Sequence, residues 1–203
     1  MKATYVIRLP YRSVKVESLE KMAGSQERAS FAGKSFEETT ETHTLFSTGY
    51  SLLSNAHFSP FYVGKVRYRS LDQFMVAQRC LYFRDYIGHE LAMLEKASRK
   101  LREIIPNNYN HQDWHSACGK IMFDGLMAKF SQNEAAYNKL FSTGTSTIIY
   151  ATFYDRVLGS GLAIDDDRNY NSADWEGLNF LGQLLMDVRA TLSTNSKPDC
   201  KEQ

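Results

Sequence analysis

The stretch THTLFSTGYSLLSNAHFSPFYVGKVRYRSLDQFMVAQR, residues 42–79, decides how this 203-residue chain folds. THTLFS reads as a strand, and FYVGKVRYRS is two β-branched and aromatic runs divided by Gly64 and Lys65, the pattern of a hairpin. Ser70 with Gln73 forms a capping-box start. Leu71, Phe74, Met75, Gln78, Leu81 and Tyr82 then recur at helical spacing, which predicts a helix over about 71–83. A strand, a hairpin and a helix in immediate succession mark a mixed fold.

Working outward, a charged amphipathic pattern predicts a second helix over about 87–103, ending before Pro106. A third is expected from Asp113, as its cap, to Lys129, with Trp114, Cys118, Ile121, Met122 and Gly125 on one stripe. A short helix over about 134–141 precedes the strand TSTIIYATF, and DRVLGSGLAIDDDRNYNSAD is a long polar loop of the kind that often carries function. The last helix is expected over about 175–192, packing Leu178, Leu181, Leu184, Leu185, Val188 and Leu192. The sum is a helix-rich α+β domain with a small sheet. Residues 1–41, with a strand-like YVIRL ending at Pro10, read as an N-terminal extension, 42–192 as the domain and 193–203 as a flexible tail.

Twenty-four Lys and Arg against 23 Asp and Glu leave a net charge of +1, which argues against a protein that coats nucleic acid electrostatically. No apolar run approaches the roughly 20 residues of a membrane span, and the N-terminal sequence lacks the features of a signal peptide. Cys80, Cys118 and Cys200 are an odd, widely spaced set suited to a reducing compartment, so a cytoplasmic protein without membrane contact is expected. Aromatic residues, at 13%, exceed what a minimal core needs and suit a pocket that stacks a flat ring.

Two carboxylates stand out by position. Asp72 lies in the first turn of a helix, where the dipole favours an anion, although acids occupy such positions for helix stability alone. Asp155 follows a strand and precedes Gly159 and Gly161 in a loop able to approach a ligand, or to be a solvated turn. Lys129 reads either as a phosphate ligand or as a snorkelling helix-end lysine, and Trp114 as a core anchor or a stacking surface. Asp165, Asp167, Asn169, Asn171 and Glu176 imitate a calcium loop, but Tyr170 stands where glycine is needed. His111, His115 and Cys118 lack a fourth zinc ligand. GLNFLG imitates a dinucleotide fingerprint without the preceding strand. No metal and no cofactor are expected.

Four segments in order resemble the NADAR superfamily, also called YbiA-like, of N-glycosidases acting on ADP-ribose or phosphoribosyl compounds. The opening stretch quoted above resembles the family's first strand, its LSNF segment, its GK hairpin and its S-x-E-x-x-x-x-A-x-K helix. DWHSACGKIMFDGLMAKFSQN resembles its DW segment and M-x-x-A-L-x-x-K-F-x-Q-N, while LFSTGTSTIIYATFYDRVLGSG and WEGLNFLGQLLMDVRATL resemble its two closing segments. The resemblance implies that Asp72 replaces the catalytic glutamate and Asp155 is the strand-end aspartate. It further implies substrate contacts from Asn55, Arg99, Trp114, Lys129, Gly159, Asn179 and Gly182. Tyr150, Leu158 and Val76 depart from the family's glutamate, tryptophan and glutamine.

The implied activity is hydrolysis of an ADP-ribosyl N-glycosidic bond, with ADP-ribose removed from modified guanine in nucleic acid as the leading expectation. Phosphoribosylated intermediates of riboflavin synthesis are an alternative, and a non-catalytic ADP-ribose-binding module is another. Lys65, Arg67 and Arg69 form a small basic rim beside Asp72 that would suit a strand.

Overall fold

The computed structural model describes residues 36–195. Strand β1 (Glu37–Thr39) pairs antiparallel with β2 (His43–Phe46), and β2 pairs in parallel with β5 (Thr147–Tyr150), giving the order β1-β2-β5. Phe46 stands opposite Tyr150, so the loops that follow β2 and β5 leave from the same sheet edge. Open parallel strands commonly bind ligands outside their carboxyl ends. Strands β3 (Phe61–Val63) and β4 (Val66–Tyr68) form the expected hairpin, turning through Gly64 at φ 60°.

Sheet pairing reaches back to Glu37, so the domain begins before the boundary expected at residue 42. The YVIRL segment lies outside the described residues, as do residues 196–203 of the tail. Within the described residues six helices carry most of the core: α1 (Leu71–Tyr82), α2 (Tyr86–Leu94), α3 (Ser98–Glu103), α4 (His111–Gln132), α5 (Glu134–Ser142) and α6 (Phe180–Asn195).

Ser70 caps α1 as its sequence predicts, accepting from the Gln73 amide at 3.3 Å. The Gln73 side chain reaches one residue further back than a capping box requires, accepting from the Arg69 amide at 2.8 Å, and its Nδ-equivalent amide nitrogen, Nε2, donates to Ala92 and Met93 carbonyls. A single helix over 87–103 is not what forms. The Glu95 carboxylate accepts from the Lys96 and Ala97 amides at 2.7 Å each, ending α2 and resetting the helical phase before α3. Helix α4 starts earlier than expected because Asn110, not Asp113, is its cap, accepting from Gln112 and Asp113 amides.

Helix α6 begins at Phe180, five residues later than its apolar pattern suggests, and Leu178 is exposed. Its first amide donors have no partners inside a helix and need external acceptors. Leu178, Asn179, Phe180 and Leu181 amides donate to the carbonyls of Arg156, Gly159, Val157 and Leu158, respectively. The loop after β5 therefore serves as the cap of α6. The helix continues to Asn195, beyond the end expected at Leu192.

The core joins Phe46 and Ile148 of the sheet to Leu71, Phe74, Leu126, Phe130, Leu140, Leu185 and Val188 of the helices. Two glycines permit the closest approaches. A β-carbon at Gly125 would lie 2.6 Å from the Phe74 ring, and one at Gly182 would lie 2.1 Å from the Ile148 carbonyl oxygen. No helix among the described residues is long and apolar enough to cross a membrane.

Because a backbone oxygen cannot yield as a side chain can, Gly182→Ala is expected to lower stability by about 3 kcal/mol. In thermal unfolding this is a fall of roughly 6–12 °C in Tm for a chain of this size.

Candidate functional site

A cavity of about 320 Å³ lies where α1, the N-terminal half of α4 and the loops after β2 and β5 meet. Its size is within the range of small-ligand sites, roughly 300–1,000 Å³. Asn55 enters it from the loop after β2, Asp72 and Arg79 from α1, Arg102 from α3, Trp114 from α4, and Asp155 from the loop after β5. Chain segments more than eighty residues apart in sequence thus place both expected aspartates on one cavity.

Asp72 is fixed at both ends. Its backbone amide donates to the Asn55 carbonyl at 3.0 Å, tying α1 to the loop after β2, and its Oδ2 lies 3.4 Å from Arg102 Nη2. Burial raises its pKa above the ordinary value of 3.8, outweighing the opposing pull of Arg102, Lys129 and a Ser98 hydrogen bond. A carboxyl with a raised pKa binds a proton more strongly and is a better base when ionised. Asp155 is held by two backbone donors, the amides of Val157 and Leu158, at 3.0 and 2.9 Å from Oδ1.

Lys129 is fully buried and does not line the cavity. Its ammonium donates to the Leu52 and Ser54 carbonyls at 2.7 and 2.8 Å, so neither reading as a phosphate ligand nor as a snorkelling side chain describes it. It pins α4 to the loop that carries Asn55. Burial pushes its pKa down to about 7, with the Asp72 carboxylate opposing that shift.

Three other residues expected at the substrate also turn to the backbone. Asn179, buried at φ 47°, donates from Nδ2 to the Ile148 carbonyl and accepts the Tyr150 amide at Oδ1, closing the free edge of β5. Asparagine suits that place because it tolerates the left-handed region and carries both a donor and an acceptor. Gly182 admits α6 against β5, and at Gly159 a β-carbon would lie 2.6 Å from the Tyr150 carbonyl oxygen. Arg99 is exposed and away from the cavity, because the break at Glu95 puts Arg102 there in its place.

Trp114 is 8% exposed, packs edge-to-face on Tyr82 and forms part of the cavity wall. Sequence reasoning missed Arg79, Arg102 and Tyr109. Arg79 Nη2 donates to the Ile104 carbonyl at 2.6 Å, and its guanidinium lies over the Tyr109 ring at 5.6 Å. Its position at the end of the apolar stripe of α1 was the available signal. Among the described residues, the buried side-chain polar atoms that lack a hydrogen-bond partner are Asn55 Oδ1 and Arg79 Nε, and both residues line this cavity. One is an acceptor and the other a donor.

The two metal-like patterns do not assemble among the described residues. No group of three or more His, Cys, Asp and Glu among the described residues converges on a point that would hold a metal ion. In the acidic loop Asn169 is buried against Ser160 and Ala163, while Glu176 pairs with Arg156 and Arg168. Of the basic rim, Arg69 is spent on the Glu95 carbonyl.

The sequence model of the NADAR domain matches residues 35–193. The chain belongs to the NADAR domain family. It is 32% identical over 124 residues to N-glycosidase R617 of Acanthamoeba polyphaga mimivirus, covering 60% of this chain and 73% of that protein. It is 25% identical over 179 residues to Protein irg-1 of Caenorhabditis elegans, covering 79% and 84%. An 80-residue match at 32% identity, 39% of this chain, reaches 11% of the chloroplastic riboflavin biosynthesis protein PYRR of Zea mays. The NMR structure of Escherichia coli YbiA superposes with a TM-score of 0.64 over 84% of this chain and 98% of that one at 21% identity, which establishes the shared fold. Within this NADAR domain Asp72, Val76 and Leu158, three of the four positions that the sequence resemblance implies as departures, line the cavity. Tyr150, the fourth, interacts electrostatically with Asp72, Asp155 and Arg102, and burial raises its pKa, keeping the phenol neutral.

The pH dependence of stability carries the signature of Lys129. Between about 7 and its ordinary 10.5 this lysine holds less of a proton in the folded state than in the unfolded one, so its own contribution to stability rises with pH across that window. The rise is expected to be up to about 1.4 kcal/mol per pH unit in denaturant titrations. It should vanish in Lys129→Met, in which amides of residues 52–55 exchange faster with solvent.

Proposed function

We propose that this NADAR domain is an N-glycosidase that hydrolyses an ADP-ribosyl N-glycosidic bond, releasing ADP-ribose from modified guanine in nucleic acid. The observation that carries the reading is the coincidence in one cavity of two aspartates, two arginines, and an unpaired buried donor and acceptor. A ribose hydroxyl supplies a donor for Asn55 Oδ1, and a phosphate oxygen supplies an acceptor for Arg79 Nε. Arg102 adds charge for the diphosphate, and Trp114 with Tyr109 offers aromatic faces to a base. The name of the mimivirus relative, an N-glycosidase, supports the same class of reaction.

In the proposed reaction the C1′–N bond breaks, its electron pair stays on the nitrogen of the base, which takes up a proton from solvent, and water adds to C1′. Asp72 stabilises the cationic C1′ and takes the proton of the attacking water, and Asp155 holds the ribose hydroxyls or that water. A substrate phosphate drawing Arg102 away from Asp72 leaves the carboxylate more basic when it is needed.

The partial match to a riboflavin biosynthesis protein favours a second reading, in which a phosphoribosylated pyrimidine is the substrate. Mass spectrometry of products from an ADP-ribosylated oligonucleotide, NAD and a phosphoribosylaminopyrimidine distinguishes the two. The first is expected to yield ADP-ribose, with kcat reduced about 10²–10⁴-fold in Asp72→Ala. Ribose phosphate released from the pyrimidine alone would select the second reading, and ADP-ribose binding without any product would select a binding module. For an ionised Asp72 as base, kcat/KM falls on acidification through a midpoint above 3.8, and that limb disappears in Asp72→Ala.

A further inference from the structure

The loop after β5 presents two aromatic rings to solvent immediately before it turns Asp155 into the cavity. Phe153 is 53% exposed and Tyr154 59%, with ring centroids 3.9 Å apart and planes inclined by 38°. Their backbone is constrained on both sides. The Tyr154 amide donates to Thr152 Oγ1 at 3.3 Å, and the Asp155 carboxylate holds the two amides that follow. The neighbouring loop, which leaves the same sheet edge after β2 and carries Asn55 into the cavity, exposes Tyr50 and Phe58, at 81% and 65%.

Exposed large apolar side chains on the loops that carry cavity residues suit an interaction surface. The chemistry of this one is specific. Two adjoining rings beside a cavity fit another flat ring, and aromatic side chains stack on any base of a single strand, whereas duplex bases keep their faces stacked on their neighbours within the helix. A net charge of +1 gives little of the phosphate neutralisation on which duplex binding rests, so stacking has to supply the contact.

We propose that Phe153 and Tyr154 form a stacking platform outside the cavity that binds an unpaired base of single-stranded nucleic acid, next to the modified nucleotide held inside. The proposal rests on the N-glycosidase reading for the nucleotide inside the cavity, while the platform itself is testable without turnover. It gives a role to two rings that are more than half exposed within two residues of the carboxylate that enters the site.

The test compares wild type, Phe153→Ala/Tyr154→Ala and the conservative pair Phe153→Tyr/Tyr154→Phe, all checked for unchanged Tm. Fluorescence anisotropy with an unmodified single-stranded oligonucleotide reads the platform directly. The alanine pair is expected to weaken binding about tenfold or more, the conservative pair to restore it, and the affinity to depend weakly on salt. With an ADP-ribosylated single-stranded oligonucleotide the alanine pair raises KM by a similar factor and leaves kcat within about twofold, while an ADP-ribosylated guanosine shows neither change. Unchanged anisotropy in the alanine pair, or wild type that binds duplex as well as single strand, overturns the platform. Equal losses on oligonucleotide and nucleoside overturn it also, since the rings would then be shaping the cavity. Wild type that binds the strand through these rings but releases no ADP-ribose overturns the N-glycosidase reading and leaves the platform standing.

Discussion

A buried ammonium holds this site together. Lys129 has no access to solvent, and it offsets part of the cost of that burial by donating to the Leu52 and Ser54 carbonyls and by facing the charge of Asp72. Those two carbonyls precede Asn55, whose own carbonyl receives the Asp72 amide. One side chain on α4 therefore sets the loop after β2, and that loop sets the start of α1. The position of the carboxylate follows from a chain of backbone contacts.

The other half of the site is set from the opposite end of the molecule by the same kind of device. The four carbonyls of residues 156–159 receive the amides of Leu178 and Asn179 and the first two amides of α6, and Asn179 ties the edge of β5 to the entry of that helix. Asp155 stands at the head of this knot. Its carboxylate is oriented locally, by the Val157 and Leu158 amides, within a loop whose carbonyls also cap the start of α6.

The elements read most directly from the sequence were those written in periodicity and local caps. The hairpin at Gly64, the cap at Ser70 and the strand over Ile148 and Ile149 are all local signals, and all formed. Tertiary contacts overrode periodicity in α6, where Leu178 sits at a helical spacing but outside the helix. They also decided the roles of polar residues. Asn55, Asp72, Trp114 and Asp155 meet at the cavity, whereas Lys129, Asn179, Gly159 and Gly182 support it from behind. A motif alone does not separate a residue that touches ligand from one that holds the wall, because both are required by the same geometry. Arg102 was hidden for a different reason: a glutamate turn at Glu95 breaks what reads as one helix, whereas Arg99 was implied by the resemblance alone.

In the proposed reaction water opens a C1′–N bond at the cavity shared by Asp72 and Asp155. A single-turnover reaction with a guanine-ADP-ribosylated oligonucleotide in oxygen-18 water, followed by mass spectrometry of both products, tests it most directly. The account predicts one heavy oxygen in the released ADP-ribose and none in the restored base. Label in the base, or ADP-ribose released without label, would contradict it.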